Sequence, residues 1–149
     1  MSEEKKLKPG VGFGIMVFKD RRVLLGKRNE DAEKASSLLH GEGTWTMPGG
    51  KLHFQEGIKE GAVWELLEET GIKAVDLRVI SVTNDIVYDN HFVTIGFLCE
   101  DFQGEAKIME PEEITEWKWF SLDDLPFPIY PPSTKITKNY LDKKIYQDS

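Results

Sequence analysis

The strongest constraint on this chain lies just before Gly71, where one helix-forming run carries three glutamates on a single side. Ile58, Ala62, Val63, Leu66 and Leu67 recur at helical spacing, which predicts a helix over residues 57–70 with Gly71 as its stop. Glu65, Glu68 and Glu69 then stand at i, i+3 and i+4 and project together. Like charges so placed repel, and a helix C-terminus disfavours acids. The fold must therefore turn this side to open water, the commonest fate of an acidic face, or bring a cation to it. A cation held by carboxylate oxygens would be Mg2+ or Mn2+. Zinc is a poor match, because Cys99 and three scattered histidines offer no zinc spacing.

Around this helix the sequence reads as strands. In Val11-Gly-Phe-Gly-Ile-Met-Val-Phe18, Val11, Phe13, Ile15 and Val17 share one face. Gly12 and Gly14 share the other, which leaves room for a ligand or a neighbouring backbone. Lys19-Asp20-Arg21 forms a turn and residues 22–28 return as a hairpin strand. Further strands are expected over residues 44–47, 75–88, 91–100 and 116–120, with a capped helical turn over 121–126. Ile136, Tyr140, Leu141 and Ile145 predict a second helix over residues 134–146. Residues 29–43 form a long polar loop, a length that in a compact domain is often functional. Residues 1–9 read as a charged tail. The expected architecture is one α/β domain over residues 1–149, with a mixed or antiparallel sheet and two helices.

Charge narrows the partners. The formal net charge is −7 and no Lys/Arg stripe is present, which argues against duplex nucleic acid. The longest apolar-rich run, residues 11–18, falls well short of the roughly 20 residues a membrane helix needs. With a single cysteine and no secretory h-region at the N-terminus, a cytoplasmic location is expected. An acidic chain can still bind a phosphate ligand if a divalent cation or a few placed cations come with it.

The spacing within residues 50–72 carries a sharper signal. Gly50, five residues, Glu56, seven residues, then Trp64-Glu65-Leu66-Leu67-Glu68-Glu69-Thr70-Gly71-Ile72 resembles the Nudix box. Eight of its nine specified positions match; the exception is Trp64, where the family has arginine. The lead-in Trp45-Thr-Met-Pro-Gly-Gly50 is also similar, as are Pro9-Gly-Val-Gly, Leu24-Leu-Gly-Lys-Arg28, His91-Phe-Val-Thr-Ile95 and Trp117-Lys-Trp-Phe-Ser-Leu-Asp-Asp-Leu-Pro126. The likeness covers residues 10–126 and is greatest to MutT-type nucleoside triphosphate pyrophosphohydrolases of the Nudix family.

That resemblance implies an α/β/α sandwich around a mixed sheet, with the box as loop–helix–loop. It implies hydrolysis of a phosphoanhydride by metal-activated water, with Mg2+ or Mn2+ as cofactor, a nucleotide as substrate, and a monomer or homodimer. Carried over residue by residue, the metal ligands are Gly50 through its carbonyl, Glu65 and Glu69, with Glu68 as ligand or base. Glu56 orients the loop–helix or a water. A later acid completes the set: Glu113, with Glu112 as the alternative. Arg28 and Lys51 stand where phosphate contacts are expected. Phe13, Asn84, His91 and Tyr130 are candidates for the base. Alternative substrates are ADP-ribose, a nucleotide sugar or a dinucleoside polyphosphate; Tyr88 stands where the dinucleoside polyphosphate branch has a characteristic tyrosine. Trp64 cannot give the bidentate bond of an arginine, so a nucleotide-binding module with little turnover is the alternative from another class.

Overall fold

The computed structural model describes residues 7–31, 33, 41–87 and 89–148. The expectations for residues 1–6, for most of the 29–43 loop and for Tyr88 lie outside these. Among the described residues, seven strands and two helices follow in the order β1 (Gly10–Lys19), β2 (Arg22–Arg28), β3 (Trp45–Thr46), β4 (Gly49–Lys51), α1 (Ile58–Thr70), β5 (Lys73–Val87), β6 (Asn90–Gln103), β7 (Ile114–Ser121) and α2 (Pro131–Asp142). The main path of the sheet runs β3-β2-β1-β6-β5, with β4 also paired to β1 and β7 to β2.

The sheet is mixed. β1 and β6 run parallel from Gly10↔Phe92 to Val17↔Cys99, while β1–β2, β1–β4, β2–β3, β2–β7 and β5–β6 are antiparallel. The β1–β2 hairpin closes through Asp20 and Arg21, both at positive φ (54° and 65°), the twist that a two-residue hairpin turn demands.

Side chains alternate across β1 and β2 and feed two apolar layers. Phe13, Ile15, Val17 and Leu24 join Ala62, Leu66, Ile72, Leu77 and Phe97 on one side, beneath α1. Met16, Val23 and Leu25 join Met47, Leu98 and Ile136 on the other, beneath α2. A central strand buried on both faces belongs in a sheet sandwiched between helices. This is the expected α/β/α sandwich, and no helix among the described residues is long and apolar enough to cross a membrane.

Four local expectations need correcting. Helix α1 buries Gly61, Ala62 and Leu66, but leaves Ile58 and Leu67 substantially exposed. Its inward side is shared with Glu65 and Glu69, so the apolar stripe is narrower than its composition suggests. Residues 49–51 form a strand rather than a turn, because β1 offers free backbone groups opposite them. Helix α2 begins at Pro131, with proline at the first positions where no intrahelical N–H is needed, and ends at Lys143 in the left-handed region. Residues 121–124 close a hydrogen-bonded turn, with the Asp124 amide donating to the Ser121 carbonyl.

Candidate functional site

The acidic side of α1 faces the β1–β4 ladder. Gly71, at φ 79°, ends the helix by donating its amide to the Leu67 carbonyl, which leaves Glu69 in the last turn. Glu69 Oε1 accepts the Gly49 amide at 2.9 Å. Gly50 lies against Glu65, and a Cβ at Gly50 would overlap that carboxyl group. A side chain at the first glycine of the box would therefore displace the Glu65 carboxyl group, while its φ is unstrained. Glu56 reaches back to accept the His53 amide at 2.9 Å and lies beside Gly61, which ties the loop to the start of the helix.

A cavity of about 270 Å³ opens over this ladder. One part is lined by Gly49, Gly50, Glu65, Glu69, Glu110 and Glu113. The other is formed by Gly12 and Gly14 of β1, Met47, Thr94 of β6 and the buried side of α2. Arg28, Lys51 and Tyr130 line it as well. The guanidinium of Arg28 lies 5.1 Å from the centre of the Tyr130 ring and its Nε donates to the Gly41 carbonyl at 3.0 Å. The ammonium of Lys51 sits 5.7 Å from the Phe92 ring.

Electrostatics mark the acidic part as costly. Desolvation, relieved somewhat by the Gly49 amide and reinforced by Glu110, Glu65 and Glu113, pushes the Glu69 carboxyl up to about 8. Desolvation and the Glu68 charge push Glu65 up to about 7, against a small opposing effect of His53, 4.0 Å away. Burial and then Glu113 and Glu68 raise Glu110. The donors are all oxygens, which suits a hard divalent cation. Among the described residues no three acidic, imidazole or thiol side chains converge closely enough to share one ion. The buried, mutually repelling carboxylates nonetheless fit such an ion in chemistry and in charge. Cys99 plays no such part: it is fully buried, and burial pushes its thiol up to about 11.

The structure brings together most of the residues singled out in the sequence. Gly50, Lys51, Glu65, Glu69, Glu113, Arg28 and Tyr130 all line the one cavity. Glu68 is exposed one turn from Trp64, which is 53% exposed itself. Of the two later acids, Glu113 lines the cavity, while Glu112 is exposed and uses its carbonyl to accept the Asn29 side-chain amide. The base candidates are divided between this cavity and its surroundings. Phe13 contributes to the cavity lining, but it is only 5% exposed and its ring packs on Phe97 beneath α1. Asn84 lies outside this cavity, in a smaller cleft beside Lys135 and Gln147, and its side chain pairs with His91 at 2.6 Å. Glu110 was missed as a site residue, although it belongs to the same acidic run as Glu113. Thr94 and the α2 residues were also missed, since Thr94 reaches the site through the parallel β1–β6 pairing and α2 through the packing of Ile136 on Gly14 and Gly96.

A model of the NUDIX domain matches residues 8–140. The chain belongs to the Nudix hydrolase family. Among solved Nudix structures, the MutT NUDIX hydrolase from Burkholderia pseudomallei superimposes with a TM-score of 0.80 at 30% identity, covering 89% of this chain and 98% of that one. An ADP-ribose pyrophosphatase from Streptococcus suis shares the fold, with a TM-score of 0.56 at 24% identity over 91% and 90% of the two chains. The NAD-capped RNA hydrolase NudC of Salmonella agona is 27% identical over 124 residues, 83% of this chain and 46% of that protein. The chain thus spans about half the length of the curated Nudix relatives it matches.

Proposed function

We propose that this protein hydrolyses a nucleoside triphosphate to the monophosphate and pyrophosphate, with a divalent cation, Mg2+ or Mn2+, at the acidic part of the cavity. One observation carries the reading: a single cavity combines buried carboxylates with Arg28 and Lys51, and continues onto a glycine floor beneath α2. Phosphoryl transfer needs charge neutralisation and in-line positioning more than covalent help, and this lining supplies both. When bound, the cation offsets phosphate charge and lowers the pKa of water. The Gly50 carbonyl, Glu65, Glu68, Glu69 and one of Glu110 or Glu113 would hold it. Arg28 and Lys51 draw in the phosphates, with Arg28 oriented by Gly41 and Tyr130. A glutamate of α1 takes the proton of the attacking water, and Glu56 keeps the loop–helix in place through the His53 amide.

A second reading is cleavage of a pyrophosphate that links two nucleosides, favoured by the likeness to NudC over most of this chain. A panel of nucleoside triphosphates, ADP-ribose and NAD with Mg2+, scored for pyrophosphate against paired monophosphates, separates the two. Pyrophosphate release from triphosphates at higher kcat/KM supports the first reading. Efficient cleavage of NAD or ADP-ribose with weak triphosphate turnover establishes the second. Nucleotide binding without turnover of any of them would show a binding module, with Trp64 as the first residue to question.

A further inference from the structure

The cavity part away from the glutamates has a helix as its wall. Helix α2 contributes Pro132, Ser133 and Ile136 to it, opposite Gly12, Gly14 and Thr94 of the sheet. Ile136 rests on two glycines paired in register, Gly14 and Gly96. A Cβ on Gly14 would come within 2.5 Å of Ile136 Cδ1, and one on Gly96 within 2.9 Å of Ile136 Cγ1. Glycines here let the helix sit close, but offer it no side chain to grip.

Polar ties take over that task. Ser133 Oγ accepts the Met47 amide at 3.0 Å, and Asn139 donates to Ser81 Oγ at 2.8 Å. Between them stands Asp85 of β5, only 2% exposed. Its Oδ2 accepts the hydroxyls of Thr83 (2.8 Å) and Thr94 (2.7 Å). Its Oδ1 is 3.1 Å from Nζ of Lys135 on α2, and the same ammonium donates to the Asn84 carbonyl at 2.9 Å. A buried carboxylate is retained only where its oxygens are satisfied, and here they join the cavity-lining Thr94 to the helix across the cavity. The Thr94 hydroxyl is occupied by Asp85, and its methyl carbon would lie 4.0 Å from a Cβ on Gly14.

We propose that Asp85 is a positioning residue that, through Lys135 and Thr94, sets the gap between α2 and the sheet and so selects the size of the nucleotide's base. Direct recognition of base edges is limited at this wall. The Met47 amide and the Ser133 and Thr46 hydroxyls already bond one another or the Met47 carbonyl. Discrimination then rests on the width of the slot, and width depends on how α2 is seated. The choice of a base as the group in this slot rests on the triphosphate reading above; the seating of α2 by Asp85 does not.

Asp85→Asn isolates the tie. An amide oxygen turned toward Thr83 and Thr94 keeps both hydroxyl bonds, while its NH2 group meets the Lys135 ammonium donor to donor. Two measurements apply. Without ligand, exchange of the Met47 amide reports the seating of α2 directly, because that amide donates to Ser133. It should speed up by about tenfold or more in Asp85→Asn, with part of the protection recovered in Asp85→Asn/Lys135→Met. With Mg2+, the purine-to-pyrimidine ratio of kcat/KM over four nucleoside triphosphates should move toward one by about fivefold or more, mostly through KM. Unchanged Met47 exchange in Asp85→Asn overturns the positioning role. Faster exchange with an unchanged base ratio overturns the link to specificity, as does an equal loss of kcat on every substrate. A wild-type protein that turns over no triphosphate refutes the functional reading instead, and leaves the exchange measurement to decide the seating.

Discussion

Glu69 concentrates the site's chemistry in one side chain. Its carboxyl holds the Gly49 amide and stands in the field of Glu65, Glu110 and Glu113. Glu69→Gln keeps an oxygen for that amide and removes the charge. Turnover at saturating Mg2+ should fall by roughly 10²-fold or more, the usual scale for losing a preorganised charge at the reacting centre. Steady-state assays of the two proteins check this, and near-equal turnover would remove Glu69 from the metal set. Trp64 tests the neighbouring position. At 53% exposure Trp64 is about half-buried, and the aliphatic stem of an arginine would keep part of that packing contact. Trp64→Arg should therefore change stability by less than about 1 kcal/mol, since an arginine four residues before Glu68 adds a favourable pair. Turnover should rise, by no more than about 150-fold, if the guanidinium holds a box glutamate in the transition state. Turnover and melting temperature measured on one preparation decide it; a lower melting temperature without a faster rate would restore the packing role. Spacing made Glu65, Glu69 and Gly50 legible because helix geometry and the box fix them locally. Glu110, Thr94 and Asp85 were not, because only long-range pairing brings them near the cavity.

Strand β4 shows how an element can hide in a sequence. Pro48-Gly49-Gly50 has the composition of a turn, yet Gly49 and Gly50 pair with Gly14 and Phe13. The reason is steric. A Cβ on Gly49 would overlap the Phe13 carbonyl, a backbone atom that cannot swing aside. Gly12, by contrast, would place a Cβ 3.4 Å from the Gly50 carbonyl, near ordinary contact. Gly49→Ala should thus cost about 3 kcal/mol, at the upper end of overpacking, and disturb the Glu69 bond as well. Gly12→Ala should cost less than about 1 kcal/mol. Denaturant melts of both variants check the contrast, and equal losses would mean that β4 yields more readily than its ladder suggests. The strongly alternating strands β1 and β2 and the glycine-stopped helix α1 were legible because local pattern and long-range packing agree there. Helix α2 was legible in its middle, from Ile136 and Tyr140. Its start was not, because two prolines read as a break until the orphan amides of a first turn are considered.

At the scale of the molecule, the protein stores like charge where its fold is otherwise most constrained, between α1 and the β1–β4 ladder. That storage couples stability to pH. Burial, with the neighbouring acids, pushes Glu69 up to about 8 and Glu65 up to about 7 from an ordinary 4.5, and raises Glu110 too. Between about pH 4.5 and 8 the native state therefore holds protons that the unfolded chain has released. Stability changes with pH in proportion to protons bound by the unfolded state minus those bound by the native state, and here that difference is negative. The contribution of these carboxyls is fully present below about pH 4.5 and is lost as pH rises toward 8. Asp142, lowered by Lys138 and Gln147 from its ordinary 3.8, acts with the opposite sign, but only at more acid pH. Cation-free protein should accordingly melt at a lower temperature at pH 8 than at pH 5.5. A divalent cation competes with those protons for the same oxygens, so its stabilisation should be larger at pH 8 than at pH 5.5. Glu69→Gln removes the group raised furthest, and should flatten both the cation-free slope and the response to Mg2+. Melting curves at the two pH values, with EDTA and with Mg2+, measure all three effects together. A cation-free melting temperature that holds level or rises between pH 5.5 and 8 would mean that the carboxylates are solvated and that the site carries no stored charge for a cation to relieve.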